Sequence, residues 1–143
     1  MSGIILLGTL TGCSGKKSFV KNGEIKQTIV QESEQKRYFE TIGIGAADST
    51  LKNTTQRRAT SRDAAIVQAQ YEMLSIVKGV QLEGGITVQK AMETDSNIET
   101  NLKEMIKGAE IIKSEWTNDD GCVVTLRLDK RKLETSANLK VKS

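Results

Sequence analysis

The apolar positions of this 143-residue chain fall into several different periods, and each period predicts an element. Between Thr55 and Lys78, Ile66, Ala69, Met73 and Val77 recur at three- and four-residue spacing, and Ala59, Ala65 and Leu74 widen the stripe. That is one apolar face of a long amphipathic helix. Gly79 stands where a left-handed C-terminal cap is expected. A second helix is predicted from Ser96 to Lys107. Ser96 and Glu99 have capping-box spacing, Ile98, Leu102, Met105 and Ile106 share a face, and Gly108 ends it. Before the long helix, "RYFETIGIGAA" alternates. Tyr38, Glu40, Ile42 and Ile44 point one way, and Phe39, Thr41, Gly43 and Gly45 the other. Glycines inside a strand mark a bulge or a close backbone approach.

"VQLEGGITVQKAME" also alternates. Val80, Leu82, Ile86, Val88 and Met92 fall on one side, and Gln81, Glu83, Thr87, Gln89 and Glu93 on the other. It reads as a long half-buried strand, bulged at Gly84-Gly85. "AEIIKSEWT" and "CVVTLRLDK" flank "NDDG", and Asp120-Gly121 is a strong hairpin signal. Cys122 then shares a face with Val124, Leu126 and Leu128, as a small buried hydrophobe would. These elements predict an α+β fold: an antiparallel sheet of three to five strands with two amphipathic helices packed on one face. The other face is expected to be polar, with Gln81, Glu83, Gln89 and Glu93 on it.

Composition narrows the chemistry. Aromatic residues make up only 3% of the chain, so the core must be aliphatic. There is no histidine, which removes the commonest neutral-pH base and the commonest metal ligand. The net charge of +3 is unevenly spread: residues 38–129 carry an excess of acidic side chains, and the flanks are basic. A nucleic-acid domain concentrates positive charge on its folded face, so nucleic acid is not an expected partner. Basic flanks suit anionic lipid headgroups instead.

Candidate chemistry is sparse. "GIGAA" lacks the third glycine of a dinucleotide fingerprint and the Lys-Ser/Thr of a phosphate loop. Arg57, Arg58 and Arg62 cluster near the start of the long helix, the unfavourable end of its dipole for cations. They read as a solvated face near the preceding acidic residues, with a small anion site as the sharper alternative. Asp119 and Asp120 suggest an acid–base pair, but adjacent carboxylates on a turn tip point apart, and turn chemistry explains them better.

The N-terminal run "GIILLGT" is about seven mostly apolar residues, far short of the roughly 20 that span a bilayer but at the lower limit of a signal-peptide core. It leads into Leu10-Thr11-Gly12-Cys13, which resembles the bacterial lipobox. No Lys or Arg precedes the run, as a signal's first segment ordinarily requires, so either the true start lies upstream of Met1 or the signal is atypical. The competing reading is a short buried apolar segment with an ordinary cysteine. The lipobox resemblance implies that Cys13 carries diacylglycerol on its sulfur and becomes the mature N-terminus. It also implies that Ser14, next to it, directs the protein to the outer membrane. Two or three acyl chains anchor stably where one does not. The organisation expected is a signal peptide over 1–12, a lipidated N-terminus and polar tether over 13–36, a folded domain over 37–134 and a basic tail over 135–143. A tether of about 23 residues would reach roughly 75 Å at full extension.

The "GIGAA" strand, "RRATSRDAAIVQAQYEML", "IKGAEII" and "GCVVTLRLDK" follow one another in an order that resembles the twenty-kilodalton bacterial lipoprotein family (LPP-twenty). The order is similar also to the N-terminal module of flagellar assembly protein T. The resemblance spans about residues 37–134 and implies an envelope-associated protein with no catalytic residues to carry over. The expected function is therefore a non-catalytic, lipid-anchored envelope lipoprotein. It would act as an interaction or assembly module, with the membrane and an envelope protein or a second copy as partners, and with no cofactor, metal or small-molecule substrate. The alternatives are a carboxylate-based peptidoglycan hydrolase, drawing on Glu83, Glu93, Asp119 or Asp120, and a flagellar or secretion-system accessory.

Overall fold

A computed structural model describes residues 18–26, 32–34 and 37–142. The chain runs through strands β1 (Val20–Lys21), β2 (Glu24–Ile25), β3 (Glu32–Glu34) and β4 (Tyr38–Gly45), then helices α1 (Thr54–Lys78), α2 (Val88–Thr94) and α3 (Ser96–Lys107). Strands β5 (Glu110–Trp116) and β6 (Cys122–Asp129) and the short helix α4 (Lys132–Thr135) complete it. The fold is α+β. Strands β3, β4, β6 and β5 form one antiparallel sheet in that order, and β1 and β2 form a separate hairpin.

Helix α1 lies along β4, and a match of spacings brings them together. Ser61, Ala65, Ala69, Met73 and Val77, every fourth residue, are the buried positions of α1. Four helical residues advance about 6.0 Å and two strand residues about 6.7 Å, so this row keeps step with alternate positions of β4. Ser61 lies on Gly45, Ala65 on Gly43, and Thr41 donates to the Ala69 carbonyl over 2.8 Å. A Cβ on Gly43 would stand 1.7 Å from the Ala65 carbonyl oxygen, and one on Gly45 would stand 1.9 Å from that of Ser61. The two glycines are thus the close backbone approach expected of them, and the helix runs antiparallel to the strand.

The inner face of β6, Cys122, Val124, Leu126 and Leu128, is buried as predicted. Met73, Val77, Phe39 and Leu126 share a core with Leu102, Met105 and Ile106 of α3. The opposite face is not the polar surface expected. Ile42, Val123 and Thr125 are buried on it, and beyond them Arg127 pairs with Glu40.

Four further expectations are corrected. Residues 80–93 form no long strand. Gly84 and Gly85 both take positive φ and turn the chain back, so that Gln81 bridges Thr87. Thr87 then caps α2 by accepting from the Lys90 N–H. Val88, Ala91 and Met92 fit three- and four-residue spacing as well as alternation, which is why the pattern misleads. Gln81, Glu83, Gln89 and Glu93 therefore lie on this turn and on α2, not on the sheet. Gly79 closes α1 with φ −80°, in the right-handed region, its N–H bonding Ile76 and Val77 carbonyls, so no left-handed cap forms. Helix α3 is capped by Asp95, which accepts from the Asn97 N–H, and Ser96 is already inside it. The described residues hold four helices rather than two, α2 and α4 being the additions.

The flanks are more structured than a tether and a tail. Ala137 and Leu139 are buried, Leu139 N–H donates to the Leu133 carbonyl, and Val141 bridges Leu82. At the other end, β3 pairs with β4 and residues 18–26 dock on the sheet.

Candidate functional site

Cys13 and Ser14 lie outside the described residues, and the first described residue, Ser18, is already bonded to the body. Its hydroxyl donates to the Glu115 carboxylate, and Phe19 N–H donates to the other carboxylate oxygen over 2.7 Å. Lys113 Nζ lies 3.5 Å from Glu115. Burial alone would raise the Glu115 carboxyl's pKa, but the bonds from Ser18 and Phe19, with Lys113, outweigh it and hold the group below the usual range.

The chain next turns at Asn22-Gly23, both at positive φ, as a two-residue hairpin loop requires. That turn sits on the β5–β6 turn. Asn118 N–H donates to the Gly23 carbonyl over 2.9 Å, and its side-chain amide donates to the Asn22 carbonyl over 3.1 Å. Glu115 neighbours Val123 across the sheet, so the hairpin lies on the face opposite α1.

Asp120, at φ 64° in the predicted hairpin, joins this end of the sheet to α1. Its carboxylate takes Arg57 Nε at 2.9 Å and Arg58 Nε at 3.0 Å, and its carbonyl takes the buried Ser61 hydroxyl at 2.7 Å. Arg58 also lies over the Trp116 ring, 5.3 Å from its centre. The two guanidiniums are therefore neither a merely solvated face nor an open anion site, because the chain supplies their anion itself. Arg58 first and Arg57 next hold the Asp120 carboxyl below its usual range. Asp119 is lowered by the Thr117 hydroxyl on the same turn.

The four carboxylates considered for hydrolysis do not converge. Asp119 and Asp120 sit at the end where α1 begins. Glu83 lies on the Gly84-Gly85 turn beyond the end of α1, and Glu93, on α2, pairs with Lys90 at 3.3 Å. Cys122 is buried beside Ala65, Val124 and Trp116, and burial raises its thiol pKa while Arg62 pulls the other way. A raised pKa disfavours the thiolate a nucleophile needs.

Four residues that organise this end escaped the sequence reading: Ser61, Asn22, Gly23 and Glu115. Ser61 heads the four-residue row of α1 and was visible as its first member. Asn22-Gly23 is a hairpin signal of the same kind as Asp120-Gly121. Glu115 carried no signal, since its role depends on a segment almost a hundred residues away. Compared with protein-family models, curated proteins and solved structures, the chain matches none.

Proposed function

We propose that this chain is a non-catalytic lipoprotein of the cell envelope, anchored in the outer membrane through Cys13, whose body serves as an interaction or assembly module. The observation that carries the reading is Leu10-Thr11-Gly12-Cys13 at the end of a short apolar run. The body's chemistry supports it. Among the described residues, the carboxyl groups with a displaced pKa are displaced downward, as structural ion pairs and hydrogen bonds do, whereas a general acid at neutral pH needs the opposite. Among the described residues no group of acidic or cysteine side chains could hold a metal ion, and no helix is long and apolar enough to cross a membrane.

The anchor is tested by detergent phase separation of the protein made in cells. The wild type is expected in the detergent phase and Cys13→Ser in the aqueous phase, uncleaved or soluble. Wild type in the aqueous phase refutes the anchor. Incubation of the body with peptidoglycan separates module from enzyme: no fragments are expected. Release abolished by changing Glu83, Glu93, Asp119 or Asp120 would establish the hydrolase.

A further inference from the structure

The docked hairpin changes the length of the leash. Given the lipid anchor at Cys13, on which this inference rests, only Ser14 to Lys17 separate the acyl chains from the first residue fixed to the body. At about 3.3–3.6 Å per residue, the distance from Cys13 to Ser18 cannot exceed about 18 Å, against the roughly 75 Å of a free tether. Ser18 is held beside Glu115, the next-to-last residue of β5, so one identifiable end of the molecule is kept near the headgroups. That end consists of the Asn22-Gly23 turn, the β5–β6 turn and the start of α1. Lys21 and Lys26 are exposed on the hairpin and Lys16 and Lys17 belong to the leash; against them stand the exposed Glu24 of the hairpin and Asp119 of the β5–β6 turn, so the net charge of this end is positive and complements anionic lipid. From Ser61, bonded to Asp120, to Lys78, α1 leads about 25 Å away at about 1.5 Å per residue. The chain leaves α1 at that far end and reaches the turn with exposed Ile86 eight residues later.

We infer that the hairpin over residues 18–26 is a membrane-docking element. Clamped by Glu115 and Asn118, it seats the body on an anionic lipid surface with the β5–β6 turn proximal and the Gly84-Gly85 turn distal. The distal surface is then the one presented to envelope partners.

Trp116, the single tryptophan, stands at the proximal end and reports on this directly. The full chain is coupled through the Cys13 thiol to maleimide-headgroup lipid in vesicles of phosphatidylcholine and phosphatidylglycerol that carry dansyl-phosphatidylethanolamine. Cys122, being buried, is spared. Energy transfer from Trp116 to dansyl is expected to exceed, several-fold, that from a distal probe in Trp116→Phe/Ile86→Trp. Glu115→Ala should lower transfer from Trp116. So should a flexible Gly-Ser insertion between Lys17 and Ser18, which leaves the fold untouched. Equal transfer from both probe positions, or transfer unchanged by the insertion, overturns the docking. Because the coupling supplies the anchor, this outcome is independent of whether cells acylate Cys13. Phase partitioning of the cellular protein decides that point alone.

Discussion

Single residues decide how closely α1 approaches the sheet. Gly43 has ordinary strand backbone, and its necessity comes entirely from the Ala65 carbonyl oxygen, which a Cβ would meet at 1.7 Å. That oxygen belongs to a helix and cannot swing aside, so Gly43→Ala must push α1 off β4. We expect a loss of about 3 kcal/mol or more, the upper end of overpacking costs. Gly84 is the opposite case. A Cβ there meets nothing within 4 Å, but φ is +94°. Gly84→Ala should cost only the conformational strain, about 1–2 kcal/mol. Urea titration of the two variants checks the ranking, and a Gly43→Ala variant as stable as wild type would mean the seam is looser than described. The sequence showed that Gly43 and Gly45 were special, because glycine weakens a strand and needs a reason. It did not show which helix residues they meet. Ala65, Ala69 and Ser61 are small, and a stripe scored by hydrophobicity ranked Ile66 above Ser61. In the structure Ser61 is fully buried and Ile66 is only partly so.

At the level of elements, the Asp120 latch joins a turn to a helix start that would otherwise gather two guanidiniums at the positive end of its dipole. The depressed Asp120 pKa fixes the sign of the pH dependence. A carboxyl whose folded value lies below its unfolded value of about 3.9 contributes stability above that pH, and the contribution is lost as pH falls through the folded value. Asp120→Asn should therefore be less stable than wild type at pH 7. The gap should narrow as the solution is acidified below about pH 4. Denaturant midpoints across that window test it, and parallel curves for the two proteins would show that the latch contributes nothing. Elements with one clear period were legible. The long helix expected over Thr55–Lys78 is Thr54–Lys78, and the hairpin at Asp120-Gly121 is where it was read. Residues 80–93 were not, because positions such as 88 and 92 satisfy both periods. The choice between them is made by the reversal at Gly84-Gly85 and by tertiary contacts of Val88 and Ala91 with α1 and α3.

For the whole molecule, the N- and C-terminal segments were the least legible, since both are polar, basic and without sustained period. The Asn22-Gly23 turn had a local signal, but the attachment of both segments to the body comes from a few long-range contacts that no local pattern announces. At the N-terminal end these are Glu115 and Asn118. At the C-terminal end they are a backbone ladder and two apolar side chains. Glu83 N–H donates to the Lys140 carbonyl and Lys142 N–H to that of Gln81, so residues 140–142 run beside the start of the Gly84-Gly85 turn. Ala137 and Leu139 meanwhile enter the core that also holds Leu82, Val88 and Leu133. A basic solvated tail and an integral segment predict opposite rankings of mutations. If residues 135–143 were a tail, Lys140→Ala and Lys142→Ala would matter as much as anything there, and Leu139→Ala would be silent. As the structure has it, Leu139 is 6% exposed and its removal leaves a cavity. Leu139→Ala should cost about 2–4 kcal/mol, while each lysine change stays within about 0.5 kcal/mol. Deleting 136–143 should cost more than Leu139→Ala, because it also uncovers Leu82 and removes the ladder. Against a typical total of about 5–15 kcal/mol, that deletion takes a large share of the stability. Equilibrium unfolding of the three point variants and the truncation decides the matter. A truncated protein with the wild-type midpoint would return these residues to the status of a tail.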